Sequence, residues 1–211
     1  MIGENQKNRN ETKIVIIGGF LGSGKTTAIK ELGKLFAMSG KTVTYFTNEI
    51  GEVSIDGDLL NYDMETKEVT TACITCNMKE KMTAAAEQLI EKAHPDILFM
   101  EPKETVSPLV VKDELEKAAL NQRGEEYDFA PLFTFIDSSK FFVNIKEKKK
   151  ISFDQITVSE IVVLNKTDLI PPNELKMIRE SVMQINPKIK IIENGIQNAG
   201  IEKIKEWIEK R

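Results

Sequence analysis

The sequence predicts an α/β fold in three layers, a mainly parallel central sheet covered by helices on both faces. Three observations predict it. Short β-branched, apolar runs alternate with stretches of helical period along most of the chain, the order that buries a parallel sheet between helix layers. The first of those runs ends in glycine and opens onto a glycine-rich loop that starts a helix. Neither an internal repeat nor a low-complexity linker interrupts the 211 residues, so one domain is the simplest organisation.

The elements follow in order. Residues 13–18 (KIVIIG) read as a buried strand. A helical pattern runs from about Lys25 to Met38, and Ser39-Gly40 closes it. Residues 42–47 (TVTYFT) form the second strand. Residues 48–71 read as loop, with a strand near Glu68–Thr71. Helix formers fill 78–93, and Pro95-Asp96 leads into a strand at 97–100 (ILFM). A helix is expected within 107–121 and a loop over Asn121–Asp128. Strands follow at 132–136 (LFTFI), 160–164 (EIVVL) and 188–192 (KIKII). Pro171-Pro172 break the chain and start a helix from about Asn173 to Gln184. Residues 200–210 make a last amphipathic helix carrying Trp207.

Composition narrows the class. Apolar residues make up 41% and charged residues 29%, which excludes a disordered or membrane-like chain. No apolar run approaches the ~20 residues a membrane helix needs. The opening MIGENQKNRNETK is polar and lacks the apolar centre of a signal peptide. Residues 1–12 are therefore expected to be a flexible arm, and 13–211 one domain in the cytoplasm. A net charge of −4 offers no global field for nucleic acid or anionic lipid, so neither is an expected partner. Lys146, Lys148, Lys149 and Lys150 read as a solvated helix end or loop, with a docking patch for an acidic partner as the alternative. The single histidine, His94, precedes Pro95 and reads as a helix-end or surface residue.

Two motifs carry chemistry. Gly19-Phe20-Leu21-Gly22-Ser23-Gly24-Lys25-Thr26 fits G-x-x-x-x-G-K-[ST] in full, after a strand and before a helix. Glycines let the backbone amides turn inward around a phosphate, and the helix N-terminus adds partial positive charge. Gly19, Gly22, Ser23 and Gly24 would form the cradle, Lys25 would reach the β- and γ-phosphates, and the Thr26 hydroxyl would ligate Mg²⁺. Thr27 would cap the helix or contact the α-phosphate. The fold is thereby specified further, as a three-layer P-loop NTPase.

The second motif, Asn165-Lys166-Thr167-Asp168, is an N-K-x-D tetrad after the strand at 160–164. Asp168 can accept from both guanine N1–H and the 2-amino group. Adenine offers neither donor, and a site built this way rejects the mismatched base by ~10⁴-fold or more. Asn165 would bond the base or brace the phosphate loop, and the Lys166 stem would lie over the purine ring. GTP is the nucleotide expected.

Several segments together resemble the CobW/HypB/UreG family, and CobW-like proteins most closely. They are GGFLGSGKTT (18–27), NEIGEVSIDGDLL (48–60), TACITC (71–76), PDILFMEPKETVSP (95–108), FIDSSKF (135–141) and DQITVSEIVVLNKTDL (154–169). The resemblance implies a protein that binds and hydrolyses GTP to deliver or gate a metal or metallocofactor. Its partner would be a metalloenzyme or corrinoid-protein client. A nucleotide-dependent homodimer, with slow hydrolysis by the lone chain, belongs to the same expectation. By resemblance Glu101 is the strand-end carboxylate that touches Mg²⁺ and orients the attacking water, and Glu49 or Asp56 supplies a second Mg²⁺ contact, with Glu49 preferred. Asp137 matches a family aspartate, with a turn or cap role as the alternative.

Two positions depart from the family pattern. Thr75 stands where the cysteine motif C-x-C-C has its middle thiol, leaving Cys73 and Cys76. Glu104 replaces the glycine of the E-x-x-G loop, where a carboxylate would repel a γ-phosphate unless it turns away or a cation lies between. Cys73 and Cys76 could hold Zn²⁺ or Co²⁺, across two facing chains or with a carboxylate such as Glu52. They could equally form a redox pair or be inert thiols. The functional alternative to metal delivery is a GTPase gate or nucleotide-dependent adaptor for a corrinoid- or metal-dependent enzyme, without metal binding of its own.

Overall fold

The computed structural model describes residues 12–47, 78–123, 127–147, 149–196 and 199–210. The expected strand near Glu68–Thr71, residues 1–11 of the expected arm 1–12, and Glu49, Glu52, Asp56, Cys73 and Cys76 lie outside them. Thr12, the last residue of that arm, is instead buried and donates to the Pro95 carbonyl at 2.6 Å.

The described strands are β1 (Lys13–Gly19), β2 (Val43–Thr47), β3 (Ile97–Glu101), β4 (Asp128–Phe129), β5 (Phe133–Asp137), β6 (Ile161–Asn165) and β7 (Lys190–Glu193). The helices are α1 (Lys25–Met38), α2 (Met78–Ala93), α3 (Pro108–Arg123), α4 (Phe141–Glu147), α5 (Lys149–Val158), α6 (Pro172–Ile185) and α7 (Ile201–Glu209). The sheet runs β2-β3-β1-β5-β6-β7, with β4 alongside the first half of β1. Every described pairing is parallel.

Alternation along each strand builds two cores. Val15 and Ile17 of β1 face α1 and α7, joining Ile29, Leu32, Phe36, Ile204 and Ile208. Ile14 and Ile16 face the other way, with Leu89 and Ile90 of α2 and Leu115 of α3. Val162 and Leu164 of β6 extend that second layer over Phe141, Ile156, Ile178 and Val182. Each fully buried Ile, Leu or Phe contributes about 1.5–3 kcal/mol. The strand centres therefore hold the fold, and the strand ends are left for polar groups.

Two expectations are corrected. The stretch after Asp137 carries no element in the sequence reading, yet it forms α4 and α5. Both are short, and only one or two residues of each, such as Phe141 and Ile156, reach the core, so no helical period stands out. Asp128, expected in a loop, starts β4, a two-residue strand set by its pairing with Lys13 and Ile14. Lys146 lies in the last turn of α4, while Lys149 and Lys150 open α5, as a helix-end reading requires. His94 does follow a helix end, in left-handed conformation with φ 43°, its amide donating to the Ile90 carbonyl. No helix among the described residues is long and apolar enough to cross a membrane.

Candidate functional site

Five neighbouring strands deliver polar residues to one edge of the sheet. Gly19 ends β1, Glu101 ends β3, Asp137 ends β5, Asn165 ends β6, and Asn194 directly follows β7. In a parallel sheet these carboxyl ends lie together, and ligands bind in the crevice beyond them where strand order reverses. Here the reversal falls at β1, between β3 and β5.

The loop after β1 is shaped by its glycines. Gly19, Gly22 and Gly24 all have positive φ, at 133°, 76° and 94°. A Cβ on Gly19 would stand 2.3 Å from the Phe135 carbonyl oxygen, and one on Gly24 would stand 2.1 Å from Asn165 Nδ2. Gly24 is the N-cap of α1, no side chain caps the helix, and its first turn holds no acidic residue. Its first amides are thus left to an external anion, such as a phosphate. Thr27 is exposed and is not the cap, which leaves only the second of its two expected roles.

Lys25 is 6% exposed, and its Nζ donates to the Phe20 carbonyl at 3.0 Å. The same ammonium lies 3.5 Å from Glu101 Oε1. Glu101, 4% exposed, also accepts from the Thr26 hydroxyl, at 3.0 and 3.3 Å to its two oxygens. The Tyr45 hydroxyl of β2 donates to Oε2 of Glu101 at 2.5 Å. A buried carboxylate is tolerable only when paired and hydrogen-bonded, and here three groups do that. Thr26 and Glu101 offer converging hard oxygens, a donor set that fits Mg²⁺. The expected third contributor, Glu49, lies outside the described residues.

The tetrad after β6 is tied to the phosphate loop from two sides. Asn165 Nδ2 donates to the Ser23 carbonyl at 2.8 Å. Lys166, held in left-handed conformation at φ 58°, donates from Nζ to the Gly22 carbonyl at 2.7 Å. Of the two roles expected for Asn165, the structure adopts the brace. Asp168 is exposed at the mouth of the site. A Cβ on Gly195 would stand 3.2 Å from Asp168 Oδ1 and 2.7 Å from Thr167 Oγ1, so a glycine there lets the two loops touch.

Asp137 takes the turn role expected of it and is also an ion-pair partner. It accepts from the amide and hydroxyl of Ser139, starting a short 3₁₀ turn, and it receives Lys166 Nζ at 2.6 Å. Burial pushes its pKa up, but the hydrogen bonds from Lys166 and Ser139 outweigh that and hold it below the ordinary value of 3.8.

Sequence reasoning misses two members. Asn194, 2% exposed, donates to Asn165 Oδ1 at 2.7 Å and accepts from the Gly200 amide at 2.9 Å. Its carbonyl accepts from the Thr167 amide and hydroxyl, at 3.2 and 3.3 Å. The available signal was Asn194-Gly195, a turn dipeptide immediately after a strand. Tyr45 had no signal beyond its place in a strand.

Comparison with known proteins shows the family. Residues 13–193 match the family model described as CobW/HypB/UreG, nucleotide-binding domain. The chain is 27% identical over 206 residues to a zinc chaperone CobW of Sinorhizobium sp, covering 83% of this chain and 56% of the relative. It is 31% identical over 163 residues to the zinc chaperone YeiR of Escherichia coli, covering 76% of this chain and 48% of the relative. This chain thus spans about half the length of the curated relatives it matches. Among solved structures, HypB from Helicobacter pylori in complex with nickel overlays with TM-score 0.63 at 15% identity, over 96% of this chain and 87% of that one. Zn(II)-bound YjiA GTPase from E. coli overlays with TM-score 0.62 at 18% identity, over 93% and 62%. Those two likenesses are of fold. With a family model spanning most of its length and the phosphate and purine loops interlocked, the chain belongs to the CobW/HypB/UreG family.

Proposed function

We propose that this chain binds and hydrolyses GTP and uses the resulting change of shape to deliver a metal or metallocofactor to a client metalloenzyme or corrinoid protein. The observation that carries the reading is the pair of side-chain bridges, Asn165 to Ser23 and Lys166 to Gly22. They hold a purine-reading carboxylate, Asp168, at a fixed distance from a phosphate cradle.

In this reading the amides of Gly22 and Gly24 and the first amides of α1 take the inner phosphates, the Ser23 amide closing the loop on the Phe20 carbonyl at 3.1 Å, while Lys25 spans to the outer ones. Thr26 and Glu101 would hold Mg²⁺, with Glu49 joining them, and the ion would supply neutralisation of phosphate charge. Glu101 accepts from Thr26 and Tyr45, and in this reading it also orients the attacking water. Tyr45 positions Glu101. Described relatives are named zinc chaperone CobW and zinc-regulated GTPase metalloprotein activator 1, which favours Zn²⁺ over Co²⁺ as cargo, held through Cys73 and Cys76. The cargo site, the nucleotide-dependent homodimer and residence in the cytoplasm are parts of the same proposal, as is a single domain over 13–211.

Calorimetric titration with GTP and ATP, each with and without Zn²⁺, tests it. GTP should bind at least about 100-fold more tightly than ATP, and Zn²⁺ binding should be lost in the Cys73→Ser, Cys76→Ser double variant. Equal affinity for the two nucleotides removes the guanine reading. Zn²⁺ behaviour unchanged by the double variant removes delivery through these thiols and leaves the gate or adaptor.

A further inference from the structure

The link between β3 and α3, residues 102–107, places a carboxylate on the phosphate loop. Glu104 Oε2 accepts from the backbone amide of Leu21 at 3.0 Å. The main-chain oxygen of the same Glu104 accepts from Gln155 Nε2 at 2.7 Å, and Gln155, on α5, is 2% exposed. Val106 closes a turn within the link, its amide donating to the Lys103 carbonyl at 2.8 Å. The carboxylate therefore reaches Leu21 from an anchored backbone.

The location decides what this contact does. The helix end of the loop, Gly24 to Thr26, faces the inner phosphates. The Thr26 hydroxyl meets Glu101 at the end of β3, and the link that carries Glu104 leaves that same strand end. Leu21 is the loop residue at the mouth, its side chain 75% exposed. An anion already satisfies its amide, and that anion belongs to the protein.

We propose that Glu104 is a specificity-determining residue that biases the site against the nucleoside triphosphate and toward the diphosphate. A diphosphate leaves the Glu104–Leu21 contact standing. A triphosphate brings one more charged group to the loop whose Leu21 amide the carboxylate occupies, and like-charge repulsion opposes it. The inference rests on the guanine-nucleotide reading above and deepens it: the lone chain rests in its GDP form, and loading with GTP requires the 102–107 link to move.

The test is calorimetric titration of GDP and of a non-hydrolysable GTP analogue, with Mg²⁺, into the wild-type chain, Glu104→Gln and Glu104→Gly. A charge-assisted hydrogen bond is worth on the order of tenfold in an equilibrium constant. The wild type should therefore prefer GDP by about tenfold, and both variants should tighten the analogue by about tenfold while moving GDP by less than about threefold. Glutamine keeps an acceptor but loses the charge, and glycine removes both, so the glycine variant should show at least the larger shift. A wild type that prefers the analogue, a ratio unchanged in both variants, or equal shifts for the two nucleotides overturns the proposal. Binding of neither guanine nucleotide to the wild type overturns the guanine site itself, and this proposal with it.

Discussion

Asp137 and Lys166 form an ion pair of 2.6 Å across the ends of β5 and β6, with Asp137 almost wholly buried and Lys166 also holding the Gly22 carbonyl. Their positions are set by the sheet, since Asp137 and Asn165 are direct register partners. The pair should carry a pH signature. Asp137 has its pKa held below 3.8, against the upward push of burial, by Lys166 and Ser139. A depressed folded value means that its stabilisation is fully present above about pH 4 and is lost as pH falls through the folded value. Asp137→Asn should cost about 1–3 kcal/mol near neutral pH and should flatten this component of the acid limb. Urea midpoints measured for both proteins from neutral pH to well below about pH 4 check it. An acid limb identical in the two proteins rejects the assignment.

Gly24→Ala should damage the phosphate loop more than its size suggests. The new Cβ would lie 2.1 Å from Asn165 Nδ2, at a φ of 94°. Backbone strain of this kind costs of order 1–3 kcal/mol, and the Asn165–Ser23 bridge is lost besides. Denaturation should show that loss of stability, and nucleotide affinity should fall at least about tenfold. Gly22→Ala offers a contrast, because nothing lies within 4 Å of its added Cβ, so its cost is confined to the φ of 76°.

Asp168→Asn should exchange the base that is read. The carboxylate is an acceptor only, whereas an amide brings two donors. Xanthine carries a carbonyl where guanine carries its 2-amino group. GTP affinity should drop by about 100-fold or more, and xanthosine triphosphate should gain. Competition titrations with the two nucleotides decide it. An unchanged preference for GTP would mean that another group reads the base.

Glu101→Gln tests the cation assignment. Glu101 gathers Thr26, Tyr45 and Lys25, and glutamine keeps its shape without its charge. Chelating Mg²⁺ should weaken GTP binding at least about tenfold in the wild type and by much less in the variant, and phosphate release by the variant should fall by about 100-fold. Equal sensitivity to chelation in both proteins places the cation elsewhere.

The parts of this site that were readable in sequence are those whose chemistry is packed into consecutive residues. Gly19 through Thr26 and Asn165 through Asp168 each carry strand, turn and side-chain function within one short run, so order alone identifies them. Asn194 was missed because its role depends on β7 lying beside β6, which places it against Asn165; nothing near position 194 in the sequence points to position 165. Tyr45 was missed for the same reason, since it meets Glu101 only because β2 pairs with β3. Glu104 was noticed as a departure, but its direction was not readable. Expected to repel a phosphate unless it turned away or a cation lay between, the carboxylate lies on the Leu21 amide of the loop itself. The helix borders were legible where an amphipathic stripe ran for several turns, as in α1 and α6, and not in α4 and α5.

Asn194 binds the base loop through Asn165 and the start of α7 through Gly200, and α7 lies against α1, the helix that the phosphate loop opens. These contacts close a circuit: phosphate loop, α1, α7, Asn194, base loop and back. A nucleotide that braces any one arc tightens the others, so the amides of α7 should exchange hydrogen more slowly once the purine is seated, although α7 is remote in sequence from both loops.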